Sequence, residues 1–242
     1  MGLSLRNASR VVNMIKCGVS TDSCAEMRKC ELILICVPDA ELAKWVDNIT
    51  ATFGSCPKVG FVCCSEKSDS GALEKLRELG ASVGSLSEME GFSGKRYLYE
   101  GDNIVLHRLR RLIEEDGTAR IVEMGQKMRA VYAAGLSFAS GMTFPMISAA
   151  VDTMRAAGLD GKVAESAVEA AVTGAVRAYM RAGRRGWTGP VAKADRDELK
   201  RQYDALFEVD EELAEMYLKI ALDYLVGVAA KPRNNSLAKS GT

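Results

Sequence analysis

The chain has 242 residues, 48% of them hydrophobic and 26% charged, which suits a soluble globular protein with one large or two modest domains and excludes a disordered polymer. Its 32 basic and 32 acidic side chains cancel, so no global field draws in nucleic acid or anionic lipid. Seven cysteines lie within the first 64 residues without a CxxC, and His107 is the sole histidine. That pattern fits a reducing compartment and small buried hydrophobes, and it excludes a disulfide scaffold and a zinc set.

In chain order, residues 8–16 form an amphipathic segment that Gly18 ends, and residues 24–29 form a short helix. Residues 32–37 (LILICV) read as a strand stopped by Pro38, with Asp39 able to cap a helix beginning near Glu41. A second strand spans 58–63. Asp69 or Ser70 starts a helix over 72–79, Gly80 ends it, and a third strand covers 81–86. Apolar runs alternating with helices predict a parallel sheet covered on both faces. Later strands are expected at 97–99 and 120–122, flanking a helix at 103–115.

After Glu123 the pattern turns helical. No charged side chain lies between Arg129 and Asp152, and Ala133, Ser137 and Gly141 form a stripe of small residues at helical spacing. A helix apolar all round is a buried core helix or a membrane span. Its serines, Thr143 and Pro145, and its lack of interfacial aromatic belts and a basic flank, favour a buried central helix kinked at Pro145. Helices are expected at 161–181, 196–207 and 211–228, with a turn-rich link at 183–189. The domain reading is therefore an α/β domain over 1–123, a helical domain over 124–230 and a disordered polar tail over 231–242. No signal peptide opens the sequence, so a cytoplasmic location is expected.

Four blocks in order, LILICVPDAELAKWV, SGALEKLRELGASVGSL, RAVYAAGLSFASG and WTGPVAKAD, resemble a bacterial family of Rossmann-like NADP oxidoreductases. That family carries a helical C-terminal domain of unassigned function and is related to the pyrroline-5-carboxylate reductase and 6-phosphogluconate dehydrogenase groups. The resemblance implies an α/β fold followed by a helical dimerisation domain, a homodimer, and a cleft between the domains. It also implies NADP if the family function is retained. The match departs in three places. No GxGxxG follows a first strand, so the sheet reads as a truncated Rossmann-like one and the dinucleotide site as degenerate or absent. Ser87 stands where the family has histidine. Ala133 and Gly141 stand where it has histidine and asparagine.

Candidate site residues follow from chemistry and from this resemblance. Val37, Pro38 and Asp39 would border a cofactor if one binds, although a strand end and helix cap are the simpler reading. Ser65 follows Cys63 and Cys64 at a strand's carboxyl end, where buried, inert thiols are the simpler reading. Glu88 and Glu90 are solvated charges or an acid/base pair. Arg129 can fork a substrate carboxylate and Tyr132, one turn on, can donate a proton; otherwise Arg129 caps a helix and Tyr132 packs. Ser87, Thr188, Gly189 and Lys193 complete the substrate set. Thr188 as a cap and Pro190 in a first turn also explain that segment without a ligand.

The functional expectation is an NAD(P)-dependent-oxidoreductase-like protein acting on a small carboxylic acid. A cofactor-free binding dimer, or a non-redox lyase or cyclase reusing the cleft, stands beside it.

Overall fold

The computed structural model describes residues 5–89, 91–115 and 117–227, the last five by backbone alone. Glu90 and the tail over 231–242 therefore lie outside the described residues. Two compact units divide the chain, Met1–Leu136 and Ser137–Thr242. The division falls later than Glu123.

The first unit opens with α1 (Leu5–Ile15) and a 3-10 turn at Cys24–Lys29. It continues through β1 (Leu32–Ile35), α2 (Asp39–Phe53), β2 (Gly60–Cys64), α3 (Glu74–Glu78) and β3 (Ser82–Glu88). Then follow β4 (Lys95–Gly101), α4 (Asn103–Ile113) and β5 (Ala119–Glu123), and α5 (Arg129–Ala139) begins in this unit and ends three residues past its boundary. The five strands form one sheet in the order β1-β2-β3-β4-β5. β1, β2 and β3 run parallel, as do β4 and β5, but β3 and β4 are antiparallel. The expected parallel sheet is thus mixed at one junction. The reason is local: β3 and β4 are joined by the short segment 89–94, and a parallel crossover needs a dozen or more residues.

Glycine makes that junction possible. Gly84 pairs with Gly101, whose φ is +135°, and the Tyr99 ring lies where a Gly84 side chain would begin, 2.6 Å from an ideal Cβ. The Tyr99 hydroxyl donates to the Asp102 carbonyl at 2.8 Å, and Asp102 Oδ2 accepts from the Val83 amide at 2.7 Å.

Each face of the sheet has its own core. Ile33, Ile35, Phe61, Cys63 and Val83 pack with Leu42, Val46, Ile49 and Phe53 of α2 and Leu76 of α3. Val62, Leu86, Tyr99 and Ile121 pack with Val105, Leu106 and Leu109 of α4. Alternation along each strand sends successive side chains to opposite cores. β1 ends the sheet, and its Leu34 is 41% exposed.

The second unit contains α6 (Thr143–Ala156), α7 (Gly161–Ala182), α8 (Pro190–Lys193), α9 (Arg196–Phe207) and α10 (Glu211–Gly227). α9 and α10 are joined by side-chain hydrogen bonds from Tyr203 to Glu215 at 2.9 Å and from Tyr217 to Gln202 at 2.6 Å. Among the described residues its buried hydrophobics are few and small: Ala164, Val168, Leu199, Ala214 and Ala221. An apolar hollow of about 1200 Å³ lies among these helices, lined by Met146, Met154, Trp187, Leu206, Leu213 and Met216 among others.

The central apolar stretch corrects the sequence reading twice. It is two helices rather than one, broken at residues 140–142, where Met142 N donates to the Ser137 carbonyl and Thr143 Oγ1 donates to the Phe138 carbonyl. Pro145 sits in the first turn of α6 rather than kinking an interior, a place where its missing N–H costs nothing. Gly141 lies in the turn, so the stripe of small residues ends before it. The stretch is also not buried among the described residues. The run Arg129–Ala156 is long and apolar enough to cross a membrane, with a mean hydropathy of 1.3, yet α6 buries no residue and α5 buries only Arg129.

Candidate functional site

The described residues bury four polar or charged side chains, Ser70, Ser85, Glu100 and Arg129, and hydrogen bonds link them in two pairs near the carboxyl end of β3. Register explains the meeting. Ser85 and Ser87 are two apart on β3 and share a face, and Ser85 lies opposite Glu100 of β4. Arg129, at the start of α5, donates from Nη1 to Ser87 Oγ and from Nη2 to Ser85 Oγ, both at 2.8 Å. Ser85 Oγ donates onward to the Ser68 carbonyl at 2.8 Å. Glu100 turns its oxygens elsewhere, to the Ser70 amide and, at 3.0 Å, to the Ser70 hydroxyl.

Arg129 is therefore 3% exposed, forms no ion pair among the described residues, and leaves its buried Nε–H without a partner. A guanidinium cannot shed its charge in a protein. Two neutral hydroxyls are a poor match for it, because burying an ion costs several kcal/mol that only an anion in good geometry offsets.

Beside this cluster Asp39 opens α2. It does not cap the helix as expected, since the cap position is Pro38. Its Oδ1 accepts instead from Ser65 Oγ at 2.5 Å and Ser68 Oγ at 2.9 Å, and Ser65 Oγ accepts from the amides of Lys67 and Ser68. The Ser65 and Ser68 hydroxyls hold the Asp39 carboxyl below its usual range, with the positive charges of Lys67 and Arg129 adding to the effect. Ser65 is thus committed to the loop. A small hollow of about 240 Å³ is lined by Cys64, Ser65, Leu86, Ser87, Glu88 and Tyr97, with Glu66. Glu88 is the exposed last residue of β3. Tyr132 is half-buried one turn after Arg129.

The structure thus brings together Asp39, Ser65, Ser87, Glu88 and Arg129. Thr188, Gly189 and Lys193 belong to the second unit. There Gly189, at φ +96°, caps the four-residue α8 ahead of Pro190, in place of Thr188. The cysteines also depart from expectation. Cys56 and Cys63 are buried, but Cys17, Cys30 and Cys36 are exposed. Cys63 points into the α2 core with its Sγ 3.6 Å from the Asp69 carbonyl, and burial pushes its thiol up. His107 is exposed on α4. Sequence reasoning missed Ser85, Ser68 and Glu100. Ser85 was within reach, because it lies two positions before Ser87 and a strand's period of two places both on the same face.

A dinucleotide fits the β1–α2 turn badly. Anion binding at a helix N-terminus needs free amides and a positive end. Here Pro38 has no amide to offer, and the anionic Asp39 already occupies the first turn.

An α/β domain of Rossmann-like build followed by helices defines the class. A structural relative from Bacteroides fragilis, a candidate NADP oxidoreductase, superposes with a TM-score of 0.73 at 13% identity, covering 93% of this chain and 86% of its own. The protein TM1727 from Thermotoga maritima gives 0.65 at 15%, covering 93% and 88%. An imine reductase from Pseudomonas sp. gives 0.54 at 17%, covering 91% and 82%. No curated protein matches. More than half of the chain, residues 97–224, matches the family described as Domain of unknown function (DUF2520), and the chain belongs to that family.

Proposed function

We propose that the chain is an oxidoreductase-like protein that binds a small carboxylic acid through Arg129 and whose dinucleotide site is degenerate or absent. One observation carries this reading: a buried guanidinium that, among the described residues, hydrogen-bonds to neutral hydroxyls alone and keeps an unpartnered N–H. A carboxylate would supply the missing acceptor and the counter-charge together. Ser85 and Ser87 fix the fork, Tyr132 is placed one turn along the same helix to donate a proton, and Glu88 stands at the rim as a further acid or base. The fold supports an NADP-dependent ancestry, and the charge of Asp39 at the turn argues against a pyrophosphate there. That charge favours the cofactor-free forms of the function, a binding protein or a non-redox lyase or cyclase.

A homodimer in the cytoplasm completes the proposal. The exposed Val131, Leu136, Phe138, Met142 and Phe144 of the central stretch give a second copy an apolar surface to cover. Titration of NADPH, followed by tryptophan fluorescence and calorimetry, tests the cofactor half. Weak or absent binding is expected, and micromolar affinity overturns it. Calorimetry with pyruvate and acetate tests the acid half. Binding that Arg129→Ala abolishes is expected, and unchanged binding in that variant removes the clamp.

A further inference from the structure

Away from the Arg129 cluster, a second pair of reactive side chains is set in register. β1 and β2 are parallel with Ile35 opposite Cys63, so the next positions, Cys36 and Cys64, fall side by side one step further on. Ile35 and Cys63 point into the α2 core. Alternation therefore turns Cys36 and Cys64 together to the opposite face. On that face α4 covers Val62 and Leu86, while the β1 edge stays open, as the exposed Leu34 shows two residues before Cys36.

Cys36 is exposed, and Cys64 is half-buried on the wall of the small hollow beside Ser65. Neighbouring strands lie about 4.7–4.9 Å apart. That spacing is within the roughly 4.4–6.8 Å between Cα atoms that a disulfide spans. The two thiols are near enough to shift each other's titration. This proximity holds the Cys36 thiol down at about 7, while the same proximity and burial push Cys64 up. Cys17 and Cys30 are also exposed, and neither shares a strand register with another cysteine.

We propose that Cys36 and Cys64 are a redox-active dithiol, which a hydroperoxide converts to an intramolecular disulfide with Cys36 as the attacking and Cys64 as the resolving thiol. The Cys36 thiolate attacks the terminal peroxide oxygen. The O–O bond breaks, the alcohol leaves after taking a proton from water, and Cys36 becomes a sulfenic acid. Cys64 then attacks the Cys36 sulfur, the S–S bond forms, and hydroxide departs and is protonated to water by the Cys64 proton. Two thiols lose two electrons, and the hydroperoxide accepts both. The inference does not depend on the small-acid reading.

The test uses the fully reduced whole protein and tert-butyl hydroperoxide. Non-reducing digestion and mass spectrometry should recover the Cys36 and Cys64 peptides joined, with dithiothreitol separating them. Bromobimane at neutral pH should label Cys36 well ahead of Cys17 and Cys30. In Cys64→Ser, dimedone should trap a sulfenic acid on Cys36, and in Cys36→Ser, Cys64 should stay reduced. Peptide mapping of the wild type needs no variant, so a variant that misfolds leaves the test intact. Absence of the joined peptides after exposure, or joining of Cys36 to a different cysteine, overturns the proposal.

Discussion

Replacing Arg129 with methionine separates a structural arginine from a functional one. The change removes two hydrogen bonds from a charged donor, each about 1.5–3 kcal/mol. It also removes a buried ion whose desolvation costs several kcal/mol and an N–H with no acceptor. Methionine keeps an unbranched apolar stem in the same slot. These opposing contributions nearly cancel, so the ligand-free variant is expected to unfold in urea within about 2 kcal/mol of wild type. Carboxylate binding has no such cancellation. Losing the charged partner of a buried carboxylate costs about 2–5 kcal/mol, a fall in affinity of roughly 30-fold to a few thousand-fold. Urea melts paired with calorimetry against pyruvate read both quantities. A variant that loses more than about 3 kcal/mol of stability while pyruvate affinity stays level would refute the reasoning and make Arg129 a tie between α5 and β3.

Other expectations follow from single contacts. Because the folded-state pKa of Asp39 is depressed, its contribution to stability is complete above the ordinary carboxylate range near 4 and is lost as pH falls through the lower folded value. Asp39→Asn should therefore flatten the acid limb of a melting-temperature profile below the ordinary carboxylate range, and parallel profiles would contradict the Ser65–Ser68 contacts. Gly84→Ala places a Cβ 2.6 Å from the Tyr99 ring, so a loss of about 1–3 kcal/mol or more is expected in thermal unfolding. An unchanged melting temperature would deny that packing. Light scattering should give a dimer that Phe138→Ser with Phe144→Ser shifts to monomer, and a monomeric wild type would count against the apolar surface as an interface.

What the sequence made legible was the part set by local periodicity. The runs LILI and FVCC are short, apolar and bounded by turn residues, so β1 and β2 appear within a few positions of their expected places. The direction of β4 was not legible, because it depends on the brevity of 89–94 and on Gly84 facing Gly101 across two strands. Pro145 misled for a related reason. A proline marks a helix boundary as readily as a kink, and Ser137 and Ser140 supply the carbonyls that close the turn before it. At the site, Arg129 and Ser87 were named separately from spacing and resemblance. Their contact spans 42 positions in sequence, a distance that no local pattern encodes.

The edge position of β1 carries a consequence for handling the protein. Among the described residues LILI is paired on one side alone, and it has neither a charge nor a proline within it. An edge strand offers its outer row of amides and carbonyls to any extended segment that meets it, the circumstance in which sheets grow by accretion. Turbidity at high concentration should therefore originate there. Leu34→Lys, at an exposed position between two core residues, should raise solubility without disturbing either core.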